Sequence, residues 1–420
     1  MKFTLPKGMR DISAEEMSRR EYVFAKIKDV LVRYGFRLVE PSALENLETL
    51  TAKSGPDLEK EIYAFEDKSK RKIGLRFDLT VGMARMIANS DAPKPVRLAC
   101  ISNMWRYDNP QFSRYRSFFQ WDAEIYGSAE PEADAEIIAL TVDILDSLCL
   151  DFEIRISNRK LIEGFLLGIG IDKKSLMDAL RVIDKKSKLT EKELSQEFKK
   201  YGLSAEQIKK VMQFCSINSL DKIKAALPTN ALAQQGCSEL ENLFSALNTY
   251  KQANKCRLDL GIVRGIDYYT GIVYEAWVKG EEDIGAVAGG GRYDDLLGLY
   301  GKPMPATGIA GGVERLLLSL EKAKVLPEIS GQKFFLAYAT PDVFNDAVKI
   351  INQARAAGMS IIMDINKRDL RKQLEYANKI NAQFVLIVGR KELAAGKLKL
   401  RDMKSGEERE VTLEELSKMK

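Results

Sequence analysis

Residues 105–124 gather charged groups that could handle phosphate and an amino acid. Trp105-Arg106-Tyr107-Asp108 precedes a polar stretch, and Arg114-Tyr115-Arg116-Ser117-Phe118-Phe119-Gln120-Trp121-Asp122-Ala123-Glu124 closes it. Residues 98–107 and 115–126 read as strands around the turn-forming Asp108–Arg114 segment, so a long hairpin is predicted. Alternate strand residues share a face, which puts Phe118, Gln120, Asp122 and Glu124 on one side. Three of these four are polar, in a segment whose composition predicts a buried sheet. Buried polar groups need partners, and a bound ligand is one such partner. Arg106, Arg114 and Arg116 add a positive field of phosphate size. An amphipathic sheet facing water is the alternative reading.

The chain contains no histidine. That removes a histidine general base, Ser-His-Asp and Cys-His units, and histidine-ligated metals. Chemistry must run on carboxylates, Arg, Lys, Tyr, backbone amides and a Mg²⁺ held by carboxylate or phosphate. Three further stretches stand out. Arg264-Gly265-Ile266-Asp267-Tyr268-Tyr269-Thr270-Gly271 breaks a predicted buried strand with charge, and its paired tyrosines also suit plain packing. Gly289-Gly290-Gly291-Arg292-Tyr293-Asp294 permits close backbone approach to a ligand, but a tight turn is the reading preferred here. Residues 307–316 run from a strand into a helix with the pair Glu314-Arg315, for which a surface ion pair is the alternative.

These stretches need elements to hold them. The length of 420 residues fits two or three domains, and 45% apolar with 30% charged residues excludes a disordered chain. No apolar run approaches the ~18 residues of a membrane span. The opening residues carry no apolar secretion core, so no targeting segment is expected. Five scattered cysteines without a C-x-x-C pair point to reduced thiols in a cytoplasm. Residues 331–420 hold 17 Lys+Arg against 12 Asp+Glu, which leaves 48 against 48 in the rest. A basic excess confined to the C-terminal fifth suits a nucleic-acid contact module, or simply a solvated surface.

Residues 13–34 are predicted helical, with Ser13 and Glu16 at capping-box spacing. A strand ended by Pro41 follows. Residues 73–88 pass from a short extended piece through Asp78 and Thr80 into a helix, and 131–149 form another. Residues 160–255 are Lys-, Leu- and Glu-rich with helical spacing and read as a helical insertion. Strand character returns at 256–278. From 332 the pattern is βαβαβ with room for one or two more strands, after a linker at 326–331.

Taken together and in order, Arg106 on the hairpin, residues 264–271, residues 289–294 and Gly312-Val313-Glu314-Arg315-Leu316 resemble the histidyl-tRNA synthetases, a class II aminoacyl-tRNA synthetase family. Pro6–Asp11 resembles the family's opening segment. Arg76-Phe77-Asp78-Leu79-Thr80 resembles its amino-acid loop in the archaeal and eukaryotic style. The implied fold is α+β: a catalytic domain with a class II antiparallel sheet flanked by helices (1–158 and 256–326), a helical insertion (159–255), and a C-terminal α/β anticodon-binding domain (331–420).

The implied activity is two-step. Histidine and ATP give histidyl-adenylate and pyrophosphate, and the histidyl group then moves to the terminal ribose of its tRNA. Carried over by the resemblance, Arg106 and Arg264 are the catalytic pair. Arg106 holds the α-phosphate and Arg114 and Arg315 the outer phosphates. Phe118 and Arg315 sandwich adenine, with Asp108 at its amino edge. Asp78, Thr80 and Gln120 take the α-amino group, Glu124 and Tyr269 the imidazole nitrogens, and Tyr268 and Tyr293 line the pocket. Arg264 also takes the histidine carboxylate. Asp78 and Asp108 are shorter than the Glu of bacterial relatives. Mg²⁺ would come bound through the phosphates, with no protein metal ligand. The expected partners are L-histidine, histidine tRNA and a second copy in a homodimer, with no membrane. The insertion is read as a clamp on the acceptor arm of tRNA or as a structural insert. Rival readings are a regulatory paralogue of histidine biosynthesis, a non-catalytic tRNA sensor, and a class II synthetase for another amino acid.

Overall fold

A computed structural model describes residues 3–52, 59–109, 113–186, 189–264, 269–327 and 333–419. The chain divides into two compact units, Met1–Leu326 and Pro327–Lys420. The strands of the first are β1 (Arg37–Leu38), β2 (Leu44–Asn46), β3 (Ala64–Glu66), β4 (Lys72–Leu75), β5 (Val96–Trp105), β6 (Ser117–Tyr126), β7 (Phe152–Asn158), β8 (Cys256–Leu258), β9 (Ile272–Val278), β10 (Ala288–Arg292) and β11 (Ala306–Gly312). Eight of them make one sheet in the order β1-β5-β6-β11-β10-β9-β7-β8, and β2-β4-β3 form a small second sheet. The central pairings are antiparallel; β1 on β5 and β7 with β8 are parallel.

The alternation seen in β6 decides which side of the sheet becomes core. Trp121, Ala123 and Ile125 join one apolar cluster with Val23, Ile27, Val30 and Leu31 of helix Ala14–Arg33 and with Ile137, Leu140 and Ile144 of helix Pro131–Ser147. Gln120, Asp122 and Glu124 occupy the opposite side and are also buried. The face is therefore not open to water. Helix Ala14–Arg33 starts where Ser13 Oγ accepts from Glu16 N at 3.1 Å. The reciprocal half of the expected capping box is absent, because the Glu16 carboxylate turns to Arg10 and Arg20.

The glycine run is not a tight turn. Gly289, Gly290 and Gly291 lie inside β10, buried between β9 and β11. Extended backbone with no side chain lets other groups lie against it, which a count of glycines cannot distinguish from a bend. Among the described residues, the strand-like stretch predicted at 256–278 holds two strands, β8 and β9. Between β7 and β8 in sequence order, 159–249 is helical wherever regular structure occurs among the described residues, from Arg159–Gly168 to Ala231–Thr249. These helices share the apolar cluster of the sheet through Leu161, Phe165, Leu240 and Leu247.

The second unit runs β12 (Phe334–Tyr338), helix Phe344–Ala356, β13 (Ile361–Met363), helix Leu370–Lys379, β14 (Phe384–Val388), β15 (Leu398–Asp402) and β16 (Glu408–Val411). The order is β13-β12-β14-β15-β16, with the first three parallel and the last two added antiparallel. Alternating β12 residues feed two apolar clusters, Phe334 and Leu336 on one side and Phe335 and Ala337 on the other.

Arg292, at the end of β10, anchors the sheet to helix Pro131–Ser147. Its guanidinium meets Asp134 Oδ2 at 2.6 Å and donates to Ser128 O at 2.9 Å and Glu130 O at 3.1 Å. Both side chains are buried. Arg292→Met is expected to destabilise the fold by about 3–5 kcal/mol, because Asp134 stays buried without its partner, and adding Asp134→Leu is expected to recover part of that loss. Urea unfolding midpoints of the single and double variants measure both effects.

Candidate active site

Two groups of charge meet on the buried face of β6. The acidic group is built by β6 and the start of helix Leu79–Ala88. Asp78 caps that helix, its Oδ1 accepting from Val81 N at 3.1 Å. The cap places Thr80 in the first turn, where its Oγ1 donates toward Glu124 Oε1 at 2.8 Å and lies 3.3 Å from Asp122 Oδ2. Gln120 Nε2 donates to Asp122 Oδ1 at 2.8 Å. Tyr293 OH hydrogen-bonds Glu124 Oε2. Asp122 is 0% and Glu124 1% exposed. Burial pushes the Asp122 carboxyl well above the usual carboxylate range, and the nearby Asp78 charge adds to it. Burial does the same to Glu124, followed by the charge of Asp122. Asp122 received no role from the sequence, although alternation put it on this face. Burial also raises the Tyr269 hydroxyl, and its ring packs at the edge of the apolar cluster that contains Tyr293.

The basic group is Arg106, Arg114, Arg264 and Arg315. Arg106 follows β5, donates from Nε to Phe77 O at 2.9 Å and lies over the Phe118 ring at 5.3 Å. Arg264 has φ +29 and pairs through Nε with Glu275 Oε1 at 2.8 Å. Glu275 carried no signal in the sequence. Arg315 donates to Ala286 O at 2.7 Å. Burial lowers the Arg315 pKa, and so do the charges of Arg114, Arg264 and Arg106. Guanidinium groups from three separate stretches of sequence are thus within electrostatic reach of Arg315. Arg114 itself is exposed, and Asp108 is half-buried, its backbone oxygen accepting from Arg116 Nε at 2.9 Å. Tyr268 lies outside the described residues.

Two sequence readings are corrected. Arg116 does not add to the phosphate-sized field: it is buried, donates to the Lys7 and Asp108 carbonyls and lies over the Tyr107 ring at 4.2 Å. Glu314 does not form a surface pair with Arg315. It is buried, meets Arg20 at 2.8 Å and accepts from Phe119 N at 3.1 Å. The neighbouring Arg315 instead donates to Ala286 O.

Glycines make room for both charge groups. A Cβ on Gly289 would lie 1.3 Å from Arg264 Nη1, one on Gly308 1.5 Å from Glu124 Oε2, and one on Gly291 2.9 Å from Tyr269 Cδ1. A row of strand residues without side chains is the floor on which the functional side chains lie.

The histidyl-tRNA synthetase family model matches residues 8–316. The chain belongs to this family. An anticodon-binding-domain model matches residues 332–419. Histidine–tRNA ligase of Pyrococcus abyssi (strain GE5 / Orsay) is 39% identical over 416 residues, covering 97% of this chain and 96% of that protein. The Halorubrum lacusprofundi histidine–tRNA ligase is 34% identical over 421 residues, 97% and 95% of the two chains. The crystal structure of histidyl-tRNA synthetase from Nostoc sp. PCC 7120 superposes with a TM-score of 0.88 at 31% identity, over 100% of this chain and 99% of that one. An ATP phosphoribosyltransferase regulatory subunit/histidyl-tRNA synthetase from Bacillus halodurans C, 22% identical with a TM-score of 0.80 over 93% of this chain and 99% of that one, shares the fold. The family's catalytic fold and its anticodon-binding unit are therefore both present in this member.

The burial of Asp122 has a thermodynamic consequence. A carboxyl whose folded pKa is raised contributes less stability as pH rises above the unfolded carboxylate range of about 4. Asp122→Asn cannot ionise there. Its stability relative to the parent protein is expected to increase as pH is raised from that range, measured by urea unfolding of both at several pH values.

Proposed function

We propose that this chain charges its cognate tRNA with L-histidine through a histidyl-adenylate, consuming ATP and releasing pyrophosphate and then AMP. The observation that carries this reading is the junction of a four-arginine group with a buried acidic pocket on one sheet face. Adenylate formation brings a carboxylate against a triphosphate. The reaction needs fixed cations and alignment more than proton transfer, so a chain without histidine can catalyse it.

In this reading Arg264 bridges the histidine carboxylate and the α-phosphate, and Arg106 holds that phosphate from the other side. The carboxylate oxygen bonds to the α-phosphorus as its bond to the bridging oxygen breaks, and pyrophosphate leaves with that electron pair. Arg114 and Arg315 hold the outer phosphates as negative charge builds there. Phe118, with Arg315, receives adenine, and Asp108 its amino edge. Glu124 and Tyr269 take the imidazole nitrogens beside Tyr268 and Tyr293, and Asp78, Thr80 and Gln120 take the α-amino group. Mg²⁺ enters on the phosphates; among the described residues no group of three Asp, Glu or Cys is placed to hold a metal ion.

The anticodon-binding unit and the intact arginine group support this reading over a regulatory paralogue or an inactive tRNA sensor. A homodimer in the cytoplasm is part of the proposal, with exposed Val32 at the end of helix Ala14–Arg33 and exposed Leu38 in β1 as contact residues. Among the described residues no helix is long and apolar enough to cross a membrane.

Arg264→Ala is expected to lower histidine-dependent ATP–pyrophosphate exchange by roughly 100- to 1,000-fold while histidine still binds. Gly289→Ala should act the same way without unfolding the sheet, since the group it displaces is the free end of the Arg264 side chain. Exchange assays and thermal unfolding of both variants check this, and unchanged exchange in Arg264→Ala would refute the assignment.

The helical segment 159–255 is proposed as the clamp on the acceptor arm of tRNA. A groove of about 600 Å³ there is lined by Lys186, Lys199 and Lys209 together with apolar residues such as Leu194 and Ile208. Phosphate contacts are salt-dependent through released counterions. Replacing the three lysines with Ala is expected to reduce charging of tRNA and flatten its salt dependence while leaving pyrophosphate exchange intact, measured by aminoacylation at two ionic strengths.

A further inference from the structure

Asp122 is fully buried on the site face, and the roles above leave it without a task. Its two oxygens face the amide of Gln120 and the hydroxyl of Thr80, the two uncharged groups assigned to the substrate's amino group. An amide donates at one end and accepts at the other. An ionised carboxylate only accepts, so its 2.8 Å contact requires the Gln120 NH₂ to turn toward it. The Gln120 oxygen is left for the pocket. Thr80 has a single hydroxyl proton, and Glu124 and Asp122 compete for it at 2.8 and 3.3 Å. What remains on the Thr80 oxygen is lone pairs. Asp78 uses Oδ1 for its helix cap, which leaves Oδ2. Asp78, Thr80 and Gln120 therefore offer three acceptors and no side-chain donor. A primary ammonium is the complementary group, with three N–H donors and no acceptor.

We propose that Asp122 is a positioning residue that makes the pocket selective for the α-ammonium group of the amino-acid substrate, by consuming the donors of Gln120 and Thr80 so that these two residues present only acceptors to that group. The proposal deepens the histidine-charging reading and rests on it. A cation in the pocket favours the ionised form of Asp122, which admits only this orientation of the Gln120 amide. An Asn at 122 can accept from Gln120 or donate to it, so the amide is no longer fixed. In half of the pairings its NH₂ group then points at the ammonium.

The test compares the full-length protein with Asp122→Asn in histidine-dependent ATP–pyrophosphate exchange. Two competitors are used: histidinol, which keeps the amino group, and imidazolepropionate, which lacks it. The variant is expected to raise KM for histidine and weaken histidinol by roughly 10- to 100-fold, the worth of a hydrogen bond to a charged group. KM for ATP and inhibition by imidazolepropionate should stay at the parent values. Equal weakening of both competitors, or of neither, overturns the proposal, because a purely structural Asp122 would not distinguish them. If Asp122→Asn fails to fold, Asp122→Ser, smaller and still able to accept from Gln120, is put through the same comparison and judged by the same difference between competitors. If the parent protein shows no histidine-dependent exchange, the charging reading fails and this proposal falls with it. Exchange in the parent with no difference between competitors in the variant overturns this proposal alone.

Discussion

Like charges do not collect in one place unless something holds them there, and this chain holds two such collections, buried acids on one face of the sheet and a partly exposed arginine group within electrostatic reach of Arg315. Asp78, Asp122 and Glu124 repel one another where water is scarce, and burial already drives Asp122 and Glu124 toward their neutral forms. Arg315 is similarly unsettled by Arg114, Arg264 and Arg106. A ligand of opposite charge is the natural complement of each collection, which in the proposed reading is the ammonium and imidazole of an amino acid for the acids and a polyphosphate for the arginines. In the proposed reading, their adjacency is what would bring a substrate carboxylate beside an α-phosphate.

Holding that charge falls to ordinary structural devices. The Asp78 cap fixes the turn that carries Thr80. The Glu275 carboxylate holds the stem of the Arg264 guanidinium while Gly289 leaves space for its far end. Glu314 takes Arg20 from the N-terminal helix and the Phe119 amide from β6. That one buried carboxylate joins three separate elements next to Arg315. Breaking such a pair costs more than the pair is worth, because the remaining charge stays desolvated, so the device favours one arrangement of these elements over others.

The lack of histidine in the chain fits this division of labour. Guanidinium groups keep their charge through the physiological range and fork onto two oxygens, so phosphate binding and alignment need no imidazole. A pocket that hydrogen-bonds both nitrogens of the substrate ring discriminates strongly against apolar analogues, whose binding would leave its polar groups unpaired. The enzyme recognises as ligand the side chain that it omits from its own sequence.

The fold class was legible because its signals are local. The helix spacing at 14–33, the period-two alternation of Phe118, Gln120, Asp122 and Glu124, and the βαβαβ rhythm after 332 all follow from contacts between near neighbours in sequence. The motifs around Arg106, Arg264 and Arg315 pointed to the family on the same local basis. Tertiary structure alone decided which charges met. Glu314 pairs with Arg20 almost three hundred residues away, not with adjacent Arg315. Arg116 is spent on backbone carbonyls while Arg106 reaches Phe118. Three glycines that read as a bend are a strand, and the space their side chains would fill is taken by Arg264 at Gly289, by β11 backbone at Gly290 and by Ile272 O and Tyr269 at Gly291. Charge partners and close backbone approaches depend on how distant segments stack, and no periodicity within a segment records that.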